Sequence, residues 1–187
     1  MPPKRIADFL IHVFFNTVEA NYYYIDREEF KSRVESYYRG QGTGYSGVSF
    51  LCLMLLVLAM GSQFAELLRP QPQAPLKEVS KNGPGMRFYV RAKLLLPDVI
   101  TECSLESTQA CFLMGLFLLP TNVSDLSYLY HGIALKKAIS AGLHRRITGS
   151  DLGPRVLQVR NRLWWSLYTS ERYDECWSPA SHYPNQC

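Results

Sequence analysis

The chain has 187 residues, 47% of them apolar and 19% charged, with a formal net charge of +4 at pH 7. That length supports one domain with its own core, and the composition excludes a disordered tail and a dense nucleic-acid-binding basic block. The five cysteines (Cys52, Cys103, Cys111, Cys176, Cys187) are odd in number, widely spaced and partly inside apolar runs, which argues against a secreted disulfide scaffold and for a reducing compartment, and the lack of a Cys-x-x-Cys pair argues against a thiolate zinc site.

The amino-terminal stretch MPPKRIADFLIHVFF begins with positive charge, but Asp8 and His12 interrupt its apolar face and no small-residue cleavage site follows. No signal peptide is read there. Ile6, Phe9, Leu10, Val13 and Phe14 recur at helical spacing and predict an amphipathic first helix. Asn21 to Tyr24 breaks it into an extended segment. Asp26, three residues before Glu29, suits a capping box and predicts a helix from Arg27 to about Arg39, ended by Gly40. Phe30, Val34, Tyr37 and Tyr38 form its apolar side.

Gly40 to Gly47 is read as a loop on its glycine content. A buried helix is expected from about Val48 to Leu68; its uninterrupted apolar run is shorter than the ~20 residues that span a bilayer. The proline-rich stretch of about 69–85 is expected to be a flexible surface connection inside one domain covering 1–187.

Further helices are predicted over Met86 to Ile100, ended or bent at Pro97, over Leu105 to Leu119, stopped by Pro120, and over Asp125 to Ala141. The last of these places Leu126, Leu129, Ile133, Ala134 and Ala138 on one stripe. Gly142 followed by Leu143 fits a glycine C-cap with an apolar residue beyond it. Pro154 suits the first turn of a final helix, along which Val156, Val159, Leu163 and Leu167 form the buried stripe. No strand-like alternation appears, so the fold class is all-α, an irregular multi-helix bundle.

That final helix carries two anomalies. Trp164 and Trp165 point about 100° apart and cannot share one face, so Trp164 is assigned to the core and Trp165 needs a second cover. Arg155, Arg160 and Arg162 lie towards its amino end, and Glu171, Asp174 and Glu175 towards its carboxyl end. The helix dipole favours the reverse order, so some of these charges are expected to pair with other elements.

The stretch HGIALKKAISAGLHRR, followed by RNRLWWSLYTSERYD, resembles the fungal-specific transcription factor domain, the middle homology regulatory region of fungal zinc-cluster transcription factors. The matching positions are Ala138, Gly142, Leu143, His144 and Arg145, then Arg160, Arg162, Leu163, Trp164, Trp165, Tyr168 and Arg172. Upstream, ADFLIHVFFNTVEANYYYIDREEF, LMLLVLAMGSQF and SLESTQACFLMGLFLL resemble further blocks of that family in the same order. The family's Asp-Arg after the tryptophans is Glu171-Arg172 here, and its following Gly-Arg-Pro is replaced, so the domain reads as cut short at its carboxyl end.

The resemblance implies a nuclear, non-enzymatic transcription regulator represented by its helical regulatory domain. It implies DNA binding and zinc only through an amino-terminal six-cysteine cluster that nothing in this chain matches, so no cofactor is assigned to these residues. A protein partner, self-association or a small-molecule effector is open, and no membrane is expected. Within the domain, Trp164 and Trp165 with Arg160 and Arg162 are expected to hold the scaffold together.

Other residues carry plainer readings. His144, Arg145 and Arg146 fit a solvated helix end. His12 and His131 read as packing residues, Cys103 and Cys111 as buried structural thiols, and Lys136 with Lys137 as a solvated face. A small helical enzyme or ligand-binding protein using Cys103 or Cys111 is the rival from another class; a membrane-associated protein using Val48 to Leu68 is a third.

Overall fold

The computed structural model describes residues 1–19, 22–40, 47–67, 85–120, 124–146 and 152–177. Seven α-helices occupy most of them: α1 (Lys4–Val13), α2 (Arg27–Tyr38), α3 (Val48–Leu67), α4 (Met86–Thr101), α5 (Leu105–Leu118), α6 (Ser124–Ser140) and α7 (Pro154–Trp177). A π-helical turn, Phe14–Val18, continues α1. No strand occurs among the described residues. The all-α expectation is met. The connections expected at 41–46 and 69–84 lie outside the described residues.

The core is organised around α3. Every residue from Cys52 to Gly61 is buried, and α1, the π turn, α4 and α5 pack around the helix. Length and composition alone would let α3 cross a membrane, a test that the core helix of a compact domain also passes. Here the apolar surface is spent on neighbouring helices. α5 is buried along most of its length and lies between α3 and α6, and α6 in turn carries α7. Two glycines permit the closest crossings: a methyl on Gly61 would collide with the Leu10 carbonyl, and one on Gly115 would collide with the His131 ring.

Local chemistry sets the helix ends. Asp26 caps α2, its Oδ1 accepting from the Glu28 and Glu29 backbone N–H groups. Ser104 and Ser107 form a reciprocal capping box at α5. Gly142 takes φ +68° after α6, the Leu143 N–H donates to the Ala138 carbonyl and the Gly142 N–H to that of Ile139. This is a Schellman ending, with Leu143 buried beneath it.

The structure corrects several expectations. Ile6 and Phe9 are exposed, and the buried side of α1 is Ala7, Leu10, Ile11 and Val13, continued by Phe14 and Phe15. Helix α4 runs through Pro97 to Thr101 rather than ending there. Its last turn survives because the Lys137 ammonium donates to the carbonyls of Val99, Ile100 and Glu102 at 3.2, 2.9 and 2.7 Å. Lys137 is therefore a cap for another helix, not part of a solvated face. Along α6, Leu129 is exposed, whereas Ser127, Tyr130 and His131 are buried. Ser127 can face α5 because its Oγ donates to the Gly115 carbonyl at 2.8 Å. Val156 is exposed on α7, Cys103 is exposed and Cys111 is fully buried.

Candidate functional site

The site builds from the Schellman turn after α6 and the middle of α7. The turn carries His144 and Arg145 directly onto α7. There the His144 ring lies 5.7 Å from the Trp164 ring, and the Arg145 Nε–H donates to His144 Nε2 at 3.4 Å. Trp164 stacks on Tyr168 at 6.0 Å and 29°, and Tyr168 meets Trp165 edge-on at 6.0 Å and 88°. Four rings thus form one ladder, His144–Trp164–Tyr168–Trp165, running from the α6 turn to the outer face of α7.

The two indoles have different environments. Trp164 is half-buried and packs against the main core. Trp165 is 61% exposed and has no second cover among the described residues. The interhelical glue in this region is Leu163 and Leu167, both fully buried, with Val159 beside them. The expectation that both tryptophans hold the scaffold is corrected for Trp165: its position opposite that stripe turns it outward.

The two arginines in the motif reach other elements. Arg160 Nη2–H donates to the Ala141 carbonyl at 2.9 Å, tying α7 to the end of α6. Arg162 lies 5.5 Å from the Tyr23 ring centre. Arg155 makes two bonds to Asp26, at 3.1 and 2.7 Å, joining α7 to the cap of α2. These bonds hold the Asp26 carboxyl below its ordinary range. The arginines of the reversed charge order of α7 thus have partners elsewhere in the fold.

The sequence motifs gave no sign of how the extended Tyr22–Asp26 segment is anchored. Gln109 on α5 donates to the Tyr24 carbonyl at 2.9 Å, and Ser166 on α7 accepts from the Tyr23 N–H at 3.0 Å. Tyr24 is buried against Phe112 and Phe14. Gln109, a polar residue in the apolar run of α5, was the available signal; Ser166, on the mixed sequence of α7, carried none. Glu19 lies at the start of this segment, in a cleft of about 650 Å³ shared with Tyr23, Asp26, Arg27, Arg155 and Arg162. Burial raises its carboxyl to about 7, against the opposing backbone bonds from Ile25 and Tyr24 and the charge of Arg27.

Thiol chemistry is disfavoured at the two core cysteines. Burial pushes the Cys52 thiol up to about 12 and the Cys111 thiol up to about 11, the opposite of an activated nucleophile. The family's six-cysteine zinc cluster does not fit these residues either. The chain holds five cysteines, and among the described residues no group of three or more His, Cys, Asp or Glu could hold a metal ion.

The arrangement defines an all-helical scaffold whose aromatic motif joins and decorates helices. The profile of the fungal specific transcription factor domain matches residues 11–175, and the chain belongs to that family. An uncharacterized transcriptional regulatory protein of Schizosaccharomyces pombe is 36% identical over 172 residues, covering 92% of this chain and 21% of the relative. The thiamine repressible genes regulatory protein of the same yeast is 30% identical over 173 residues, 92% of this chain and 22% of the relative. Activator of stress genes 1 of Saccharomyces cerevisiae is 24% identical over 176 residues, 92% of this chain and 18% of the relative. The chain spans about a fifth of the length of these curated relatives. No solved structure matches it.

Proposed function

We propose that this chain is the helical regulatory region of a fungal transcription regulator and acts in the nucleus without catalysis. DNA contact would come from a zinc cluster elsewhere in the protein, and the helical region would relay the binding of a partner or effector into transcriptional output. The observation that carries this reading is the family match over residues 11–175, together with relatives whose names are those of transcriptional regulators. The α6 turn and α7 are the natural relay, since Arg160, Arg155 and Ser166 connect α7 to three other parts of the fold.

The test is a tethering assay. Residues 1–187 are fused to a heterologous DNA-binding domain and expressed in a fungal host with a reporter gene. Reporter output should differ from that of the DNA-binding domain alone, and Leu163→Ala, which removes a fully buried anchor of α7, should abolish the difference. Output identical to the bare DNA-binding domain, with the fusion intact and nuclear, would defeat the reading.

A further inference from the structure

Trp165 stands as a ridge between two grooves. One, of about 400 Å³, is bounded by Leu143, Arg145, Arg146 and Arg160. The other, of about 800 Å³, opens on the opposite side towards Arg162. Leu157, Asn161 and Trp165 line both. No described Asp or Glu lines either groove.

Elsewhere on this surface three arginines have carboxylate partners: Arg33 has Glu106, Arg39 has Glu35 and Arg155 has Asp26. Across the whole chain, 20 cationic residues face 16 anionic ones. Around Trp165 the cationic lining is concentrated: the guanidinium groups of Arg145, Arg146, Arg160 and Arg162 line the two grooves beside the exposed indole.

We propose that these grooves are a docking surface for a separate protein, which presents an acidic segment carrying large apolar side chains. Charge complementarity selects the acidic partner. The leucine walls and the exposed indole select the apolar side chains, because a rigid aromatic in a partly desolvated groove is the usual anchor of an interface.

The ring geometry disfavours nucleic acid. Single strands bind by stacking bases on free aromatic faces. Here Trp164 is stacked on Tyr168 and approached by His144, which leaves Trp165, met edge-on by Tyr168, as a lone exposed indole rather than a row of platforms for successive bases. Among the residues of this chain outside the described ones, the acidic side chains are Glu78 and Asp151, neither in an acidic run. The inference rests on the grooves alone and does not depend on the regulatory reading.

The test uses the 187-residue chain and a fluorescein-labelled helical peptide of about 15 residues built from Glu, Asp, Leu and Phe. One control peptide replaces Leu and Phe by Ser; a second probe is a short single-stranded oligonucleotide. Anisotropy titration should show binding to the first peptide that weakens as salt rises. Trp165→Ser should weaken it about tenfold, and Arg145→Glu with Arg146→Glu about tenfold independently. Both variants change exposed residues, so their thermal melts should match the parent. Equal binding of the Ser peptide, tighter binding of the oligonucleotide, or no binding of the first peptide would each overturn the proposal. So would sedimentation showing a dimer that Trp165→Ser dissolves.

Discussion

Replacing Glu19 by Gln tests the electrostatics beneath the Tyr22–Asp26 segment. Glu19 is partly buried, and its Oε1 is enclosed with no hydrogen-bond partner among the described residues. Burial raises the carboxyl from 4.5 to about 7. The folded state therefore binds the proton more tightly than the unfolded chain does. Below pH 4.5 both states are protonated and the contribution is fully present; it is lost as pH rises towards about 7. The gap sets a ceiling of about 3 kcal/mol on the penalty of ionising Glu19 in the fold. Water reaches the side chain, and screening reduces that to about 1 kcal/mol. Urea denaturation at pH 4 and pH 8 reads the effect, with the denaturant slope unchanged. Glu19→Gln should match the parent near pH 4 and exceed it by about 1 kcal/mol at pH 8. Parallel pH profiles for parent and variant would refute the assignment of Glu19 as a buried, proton-retaining acid.

Leu163→Ala should cost about 2–5 kcal/mol because Leu163 is fully enclosed, whereas Trp165→Ser should change stability by less than about 0.5 kcal/mol; equilibrium denaturation compares the two. Gly142→Ala meets no atom within 4 Å, so its cost is that of the left-handed backbone alone, about 1 kcal/mol, read as a lowered Tm. Lys137→Met strips one ammonium from three carbonyls and should destabilise by about 2 kcal/mol, with faster amide exchange confined to the end of α4. Asp26→Asn should flatten the loss of stability as pH falls below 3.8, since the Arg155 bonds depress the Asp26 carboxyl and its contribution is present only above that range.

What was legible in the sequence was chiefly local. Asp26, Gly142 and Pro154 mark helix ends through backbone chemistry that acts within a few residues, and those ends stand where the spacing placed them. Which side of each helix is buried was less legible, because it depends on neighbours far along the chain. The π turn at Phe14–Val18 carries two further aromatics into the core, while Ile6 and Phe9 stay outside. Pro97 was expected to end or bend α4; a lysine 40 positions later holds the final turn together. Ser127 and His131 break the apolar pattern of α6, yet both are buried at its crossing with α5, where Gly115 leaves room for them. In the site, the aromatic residues could be named from the motif, but the ladder they form needed the angle between α6 and α7.

The reversed charges of α7 show how such a conflict is resolved. Arg160 is the seventh residue of α7, past its first turn, so its own helix opposes it by less than the about 0.3–1 kcal/mol that a terminal charge meets. The same guanidinium sits at the carboxyl end of α6, where it donates to the Ala141 carbonyl at 2.9 Å. A hydrogen bond from a charged group contributes about 1.5–3 kcal/mol, and the α6 dipole favours a cation there. The interhelical contribution outweighs the local one. Arg155 follows the same logic by pairing with Asp26, a carboxylate placed where the α2 dipole favours negative charge. The basic half of the charge order of α7 is thus written for its neighbours, α6 and α2. Reversing it to suit α7 alone would strengthen one helix and remove the bonds that position it.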